Sequence, residues 1–375
     1  MKYDIAAFVW PSYTGDEPRT RIFWEQGFGE WQTVLAMTDK GGYDGCRWPR
    51  KPLWGYVNEA DPRIMEMQIN AAVEHGVNVF IYDWYWFDNR PFLENCLNDG
   101  FLKARNNKDM KFYLMWANHN ADHLWDKRNS DDVSEIIWRG DVSPQVFSEI
   151  CDRTIEKYFK LDNYYKIEGC PVYMIFAPEN FLRSFGSSEK CREAVEEFRK
   201  KVKAAGFKDL HLQSVYWERG RFDFLPEDDV CRGKTFAETL DYVGFDSYTS
   251  YNWGGTLRSF DGDYRALTDE YTEAIRGYSD DRKMTFYPNL TIGWDNNLRF
   301  KKFIPGVVKN NTPEAFSYAC KKIKEFLDRE LASGKLASPL ITVNSWNEWT
   351  ETSYLEPDDL YGYGYLEAIK ENFAE

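Results

Sequence analysis

The segment NSWNEWTETSYLEPDDLYGYGYLEA, Asn344 to Ala368, places Glu348 and Glu351 three positions apart, with Trp346 and Trp349 around them, directly after the apolar run PLITV. Two carboxyls in one turn suit glycoside cleavage. That reaction needs one carboxylic acid to protonate the leaving oxygen and a second carboxylate to assist at the sugar. Neighbouring carboxylates also push each other's pKa values apart, which keeps one protonated near neutral pH. Acids of this spacing are equally common on a solvated loop. The flanking indoles and the strand-end position decide for a cleft, because a solvated surface has no need of indoles and a core accepts carboxylates only when they are partnered.

The elements that must position this turn are legible as eight apolar runs: Tyr3 to Val9, Val77 to Tyr82, Lys111 to Trp116, Pro171 to Phe176, Leu210 to Val215, Asp241 to Phe245, Lys283 to Pro288 and Pro339 to Val343. Stretches with helical period or helix-start signals separate them, so the pattern predicts an α/β fold, a (β/α)8 TIM barrel. Asp61 followed by Pro62 reads as a helix start, as do Ser143, Ser187 or Ser188, and Thr312; Gly76 reads as a helix end. No fixed-period repeat or linker interrupts the chain. Residues 1–375 therefore read as one catalytic domain, whose long first strand-to-helix loop, about residues 10–60, covers part of the barrel mouth.

In such a barrel the loops after the strands build the active site. They carry Trp10 and Tyr13 after the first run, Asp83, Trp84 and Trp86 after the second, and Trp116, Asn118 and His119 around the end of the third. Glu179 and Asn180 follow the fourth, Tyr216 with Trp217, Glu218 and Arg219 the fifth, Asp246 and Tyr248 the sixth, and Asn289 and Trp294 the seventh; Trp346, Asn347 and Trp349 join the glutamates after the eighth. Amides and acids read hydroxyls while indoles cover the apolar faces of sugar rings, so these residues are expected to bind substrate. Trp84, Trp86, Trp116, Trp346 and Trp349 are the expected stacking platforms.

Other chemistries find less support. His119 and His123 have an H-x3-H spacing without the helical context of a zinc motif, so no metal is expected. Gly27-Phe28-Gly29 lacks the third glycine of a dinucleotide fingerprint, and no G-x-S-x-G elbow occurs. No cofactor is expected. With 47 Lys+Arg against 61 Asp+Glu the formal net charge is −14, which repels polyphosphates and argues against nucleic acid as a partner. The 15 Trp, 24 Tyr and 26 Phe are more than a core of this size needs and favour an oligosaccharide or polysaccharide substrate. No apolar window is long enough to span a membrane. The opening MKYDIAAFVWPSY does not read as an export signal, and seven widely spaced cysteines suit reduced thiols, so a cytoplasmic location is expected, or an exported one if a leader has been removed.

The motifs as a set resemble those of the glycoside hydrolase family 99-like proteins, also described as WbsX-type glycosyltransferases of polysaccharide gene clusters. Gly27-Phe28-Gly29-Glu30-Trp31 resembles the family's G-F-x-E-W, Tyr82 to Phe87 its Y-x-Y-W-F and Trp116-Ala117-Asn118 its W-A-N; the most specific match is Trp346-Asn347-Glu348-Trp349-x-Glu351 followed by Tyr354-Leu355-Glu356-Pro357 and Tyr361 to Leu366. The resemblance implies a TIM barrel and a cofactor-free, retaining, endo-acting α-mannosidase. It further implies that Glu348 acts as base on the sugar's own 2-hydroxyl, giving a 1,2-anhydro sugar, while Glu351 protonates the leaving oxygen. Asp83 and His119 depart from the family pattern near the sugar subsite and bear on specificity. A glycosyltransferase and a catalytically silent carbohydrate-binding barrel are the competing readings. The first would want basic residues or a D-x-D for a nucleotide diphosphate, and the second has no need of an acid of raised pKa.

Overall fold

The first apolar run forms β1 (Asp4–Val9), and the computed structural model describes the chain over residues 2–15, 17–36, 50–125, 135–216, 222–281, 284–300 and 303–374. Eight further strands complete the parallel path of the main sheet: β2 (Val79–Phe87), β3 (Lys111–Trp116), β4 (Cys170–Ile175), β5 (His211–Val215), β6 (Ser247–Thr249), β7 (Thr285–Tyr287), β8 (Asn289–Thr291) and β9 (Leu340–Asn344). The hydrogen-bonded path runs β7-β6-β5-β4-β3-β2-β1-β9-β8, parallel at every step. Its two ends are consecutive in sequence, separated only by Pro288. Proline has no N–H to give a ladder, so it splits what would be one strand: β7 pairs with β6, and β8 pairs with β9. The carbonyl of Pro288 still accepts from Thr342 N at 3.1 Å. The result is a parallel β/α barrel with eight wall positions.

The helices start where the sequence says they should. Asp61 accepts from Arg63 N ahead of helix Pro62–Glu74, Ser143 from Val146 N ahead of Pro144–Thr154, Ser187 from Lys190 N ahead of Ser188–Ala204, and Thr312 from Ala315 N ahead of Pro313–Ala332. Gly76, just after the first of these, takes φ +89°, which a side chain would resist.

The sixth strand departs from expectation. Asp241 to Phe245 is not a strand; helix Phe236–Val243 occupies it, started by a reciprocal Thr235/Glu238 capping box and ended by Gly244 in the left-handed region. The true strand β6 lies a few residues later. β2 is also longer than its apolar run, so Asp83, Trp84 and Trp86 lie within the strand and not in the loop after it. Between β1 and helix Pro62–Glu74 the chain carries a short helix, Trp31–Ala36. Residues 37–49 of that first loop, and Trp217, Glu218 and Arg219 after β5, lie outside the described residues.

Candidate active site

The turn after β9 is built by its own polar residues. Asn347 accepts from Trp10 N at 2.8 Å and donates to Trp10 O at 2.9 Å, tying the turn to the end of β1. Ser345 Oγ accepts from Glu348 N at 2.9 Å and donates to Ser353 O at 2.7 Å. A single 3-10 turn, Trp349–Glu351, follows and is closed by Thr352 at φ +53°. Both glutamates therefore leave one short turn at the C-terminal rim of the barrel, and both are buried, Glu348 at 3% exposure and Glu351 at 8%.

Between them lies Arg299, from the short helical turn Asn297–Arg299 in the loop after β8. Its Nη2 donates to Glu348 Oε1 at 2.7 Å and its Nη1 to Glu351 Oε1 at 2.9 Å, while Nε reaches Glu30 Oε1 at 2.9 Å. Glu30 is fully buried and held in turn by Trp10 Nε1 at 2.5 Å. Gly29, just before Glu30, sits at φ +66° with its Cα side against Ser12 O, where a Cβ would lie 1.7 Å from that oxygen. Only glycine brings the chain close enough there to place Glu30 on the guanidinium.

On the other side of the pair, Tyr251 Oη donates to Glu348 Oε2 at 3.1 Å and lies 3.5 Å from Asp83 Oδ2. Asp83 Oδ1 and Glu351 Oε2 are buried oxygens with no hydrogen-bond partner among the described residues. One guanidinium cannot neutralise Glu30, Asp83, Glu348 and Glu351 together, so protons must make up part of the difference. Burial, and then the charge of Glu351, raises Glu348 well above the usual carboxylate range against the pull of Arg299. Burial pushes Glu351 up to about 7, with Arg299 opposing it. Burial and then Glu351 also raise Asp83 well above its ordinary value. Burial raises both glutamates, whereas their hydrogen bonds differ. Both oxygens of Glu348 accept from fixed donors, which suits a carboxylate, and Glu351 has an oxygen free to carry a proton outward. The donors distinguish the two groups where burial does not.

The expected tryptophan platforms are core residues. Successive residues of a strand face opposite sides, so with Asp83 turned to the site, Trp84 and Trp86 turn to the helix layer. Trp84 Nε1 donates to Glu94 at 2.8 Å and its ring packs on Trp86. Trp116 pairs in register with Trp84 and stacks on Phe147 beneath helix Pro144–Thr154. Trp346 donates to Gln68 at 3.1 Å, and Trp349 is stacked on Tyr354 at 3.8 Å. Trp10 contacts Trp24 and Tyr85, and Tyr13 packs on Trp31 while its hydroxyl accepts from Trp349 N. Trp84→Ala or Trp116→Ala should cost about 3–5 kcal/mol of stability in urea unfolding, and the folded fraction should bind glycan as the parent does.

Several other expected ligand-binding residues also serve the framework. Asp246 precedes β6 at the opposite end of the barrel, bound to Arg199 at 2.6 Å and Leu212 N at 2.7 Å, a displacement that follows from the misplaced sixth strand. Tyr248 and Tyr216 pack on each other and on Phe236, away from the cleft. Asn118 exchanges hydrogen bonds with Ala177, tying two rim loops together. Asn289 donates to Tyr251 O at 3.2 Å and to Thr342 Oγ1 at 3.0 Å. His119 is half-buried, contacts Tyr85, and is kept below the usual histidine pKa by burial; its Nδ1 lies 2.8 Å from Asn120 O, while His123 faces Glu135. Trp294 is half-buried and stacked on Phe260. Asp83, His119 and Trp294 are thus the expected binding residues that remain at the rim. Sequence reasoning passed over Arg299, Glu30 and Tyr251. Glu30 stood in the G-F-G-E-W stretch without a role, Arg299 lies just past Trp294-Asp295-Asn296, and Tyr251 was hidden by the misplaced strand.

A family model described as Glycosyltransferase WbsX matches residues 5–369. Among solved structures, the chain is similar to a "Glycoside hydrolase-like protein" at 15% identity and a TM-score of 0.60, covering 99% of this chain and 94% of that one. It is also similar to the GH99 endo-alpha-mannosidase of Bacteroides thetaiotaomicron at 14% identity and a TM-score of 0.57, covering 98% and 95%. Uncharacterized protein WxcX of Xanthomonas campestris pv. campestris strain B100 is 23% identical over 98% of this chain and 49% of its own length, so the chain spans about half of that curated relative.

Proposed function

Because the chain belongs to the Glycosyltransferase WbsX family and folds as a glycoside hydrolase-like barrel, we propose that it is a retaining glycoside hydrolase of α-linked glycans, α-mannoside-like ones favoured. The observation that carries this reading is the pair Glu348 and Glu351 on one buried turn, bridged by Arg299 with one oxygen of Glu351 left unpartnered. The likeness in fold to an endo-alpha-mannosidase supports the substrate class.

In the proposed first step Glu348 takes the proton of the sugar's 2-hydroxyl and O2 attacks C1, while Glu351 protonates the departing oxygen. In the second, Glu351 takes a proton from water, the water oxygen attacks C1 as the C1–O2 bond breaks, and O2 recovers its proton from Glu348. Tyr251 and Arg299 hold Glu348 aligned throughout. Asp83, with an unpartnered oxygen, is placed to bind a sugar hydroxyl, and the half-buried rings of Phe176 and Trp294 replace the buried indoles as candidate sugar contacts.

The family's description favours a second reading, sugar transfer from a nucleotide donor. The site argues against it. Four of the five N–H groups of the Arg299 guanidinium already serve glutamates, which leaves it one donor and no free fork for a diphosphate. A reducing-end assay on a panel of α-glycans, run beside UDP- and GDP-sugar turnover, separates the two. Release of reducing ends that persists in EDTA is expected; donor turnover without hydrolysis would replace the hydrolase by the transferase.

A further inference from the structure

A second pair of buried carboxyls lies behind the catalytic turn. Glu59, from the first loop, is fully buried, and Glu356, a few residues past the turn, is 3% exposed. One amide bridges them: Gln68 Nε2 donates to Glu59 Oε1 at 3.1 Å and to Glu356 Oε1 at 2.7 Å. From this bridge hang the side chains on either side of Glu348. Asn347 donates to both oxygens of Glu59 at 3.1 and 3.0 Å, Trp349 Nε1 donates to Glu356 Oε2 at 2.6 Å, and Trp346 Nε1 donates to Gln68 Oε1 at 3.1 Å. Cys96 Sγ adds a weak donor to Glu59 at 3.7 Å. These donors are all neutral.

Two carboxylates in contact, buried and supplied only with amide, indole and thiol donors, are too costly to ionise together, so the pair keeps a proton. Glu59 accepts from every side, which suits the ionised partner, and burial pushes its pKa up to about 7. Glu356 is the partner that keeps the proton, raised first by burial and then by the charge of Glu59.

We infer that Glu59, Gln68 and Glu356 form a positioning unit for the catalytic turn: a carboxyl pair sharing one proton that fixes Trp346, Asn347 and Trp349, and through them the direction of Glu348. The inference rests on the hydrolase reading for its effect on rate, but not for its effect on the turn. Glu59 and Glu356 are both buried behind the turn. Their importance lies in alignment, since a shift of about 1 Å at a reacting group can cost on the order of a hundredfold in rate.

The test compares Glu356→Leu, which removes both donor and acceptor, with Glu356→Gln, whose amide keeps a donor and one acceptor oxygen of the protonated acid. Gln68→Met removes the bridge and serves in place of the leucine variant should that not fold. Hydrogen exchange over residues 345–356 reads the turn without reference to activity. The leucine or methionine variant should exchange faster there while exchange elsewhere matches the parent, and Glu356→Gln should restore protection. On a cleaved α-glycan, kcat should fall at least about tenfold, with KM changed less than about threefold, in Glu356→Leu or Gln68→Met, and should recover in Glu356→Gln. Parent-like exchange over the turn in the disrupting variants overturns the inference. A parent without hydrolytic activity would remove the hydrolase reading, and the exchange result would still decide this one.

Discussion

Glu351→Gln is expected to slow cleavage of glycans with poor leaving groups by about a hundredfold to ten-thousandfold, while aryl glycosides, whose phenolate departs with little help, suffer far less. Glu348→Gln should slow both substrate types, because it removes the base that both need. Steady-state kinetics on one natural-type glycan and one activated aryl glycoside give the contrast directly. A variant at Glu351 that slowed both substrates equally would reverse the assignment of acid and base. If the 2-hydroxyl is the nucleophile, a 2-deoxy-2-fluoro glycoside should remain uncleaved and leave the protein unlabelled; a mass increase on Glu348 would show a direct carboxylate nucleophile instead.

The pKa of Glu351 adds a pH signature. The acid form is competent, so the rate should decline as pH rises through about 7, the value to which burial pushes the group. The stability effect has the matching sign. A carboxyl whose folded-state pKa is raised contributes fully below its unfolded value near 4.3 and loses that contribution as pH rises through the folded one. Glu351→Gln should therefore gain in Tm relative to the parent between pH 5 and pH 8. A difference that shrinks over that range would show that the carboxyl is not buried as described.

Arg299→Met carries the other large effect. It strips the shared cation from Glu30, Glu348 and Glu351, and breaking a buried ion pair by removing one partner costs about 3–5 kcal/mol. Activity should drop at least as far as in Glu351→Gln, since both carboxyls lose their anchor. What activity remains should move to higher pH, because Arg299 holds both pKa values down and its loss lets both rise. Arg299→Lys should recover little: an ammonium keeps the charge but lacks the planar fork that reaches three glutamates at once. An unchanged pH profile in Arg299→Met would rule out the guanidinium as the control on the pair.

What the sequence revealed depended on whether the signal was local. Asp61, Ser143, Ser187 and Thr312 announce their helices through one side chain and one backbone N–H three residues or fewer away, and all were legible. The Glu348–Glu351 spacing was legible for the same reason. The sixth strand was lost because the run Asp241 to Phe245 is apolar enough for either element, and the capping box at Thr235 and Glu238 was the local cue that decides it. The tryptophans misled for a different reason. In β2 the face a residue takes depends on where the strand stops, and one that runs on to Phe87 turns Trp84 away from the site. Arg299 and Glu30 meet across 269 positions of sequence, a contact that no local pattern announces.

Pro288 gives the barrel wall a seam. β6 is laced to the stretch before it and β9 to the stretch after it, so among the described residues the β-ladder of the wall is interrupted along this line. Across the seam run two stitches, Asn289 to the backbone of Tyr251 and Thr342 to Thr249. β8 and β9 travel together, and the second carries the turn with Glu348. Tyr251 lies on one side of the seam and Glu348 and Arg299 on the other, so the two side-chain stitches hold together the one contact of Glu348, to the Tyr251 hydroxyl, that spans it.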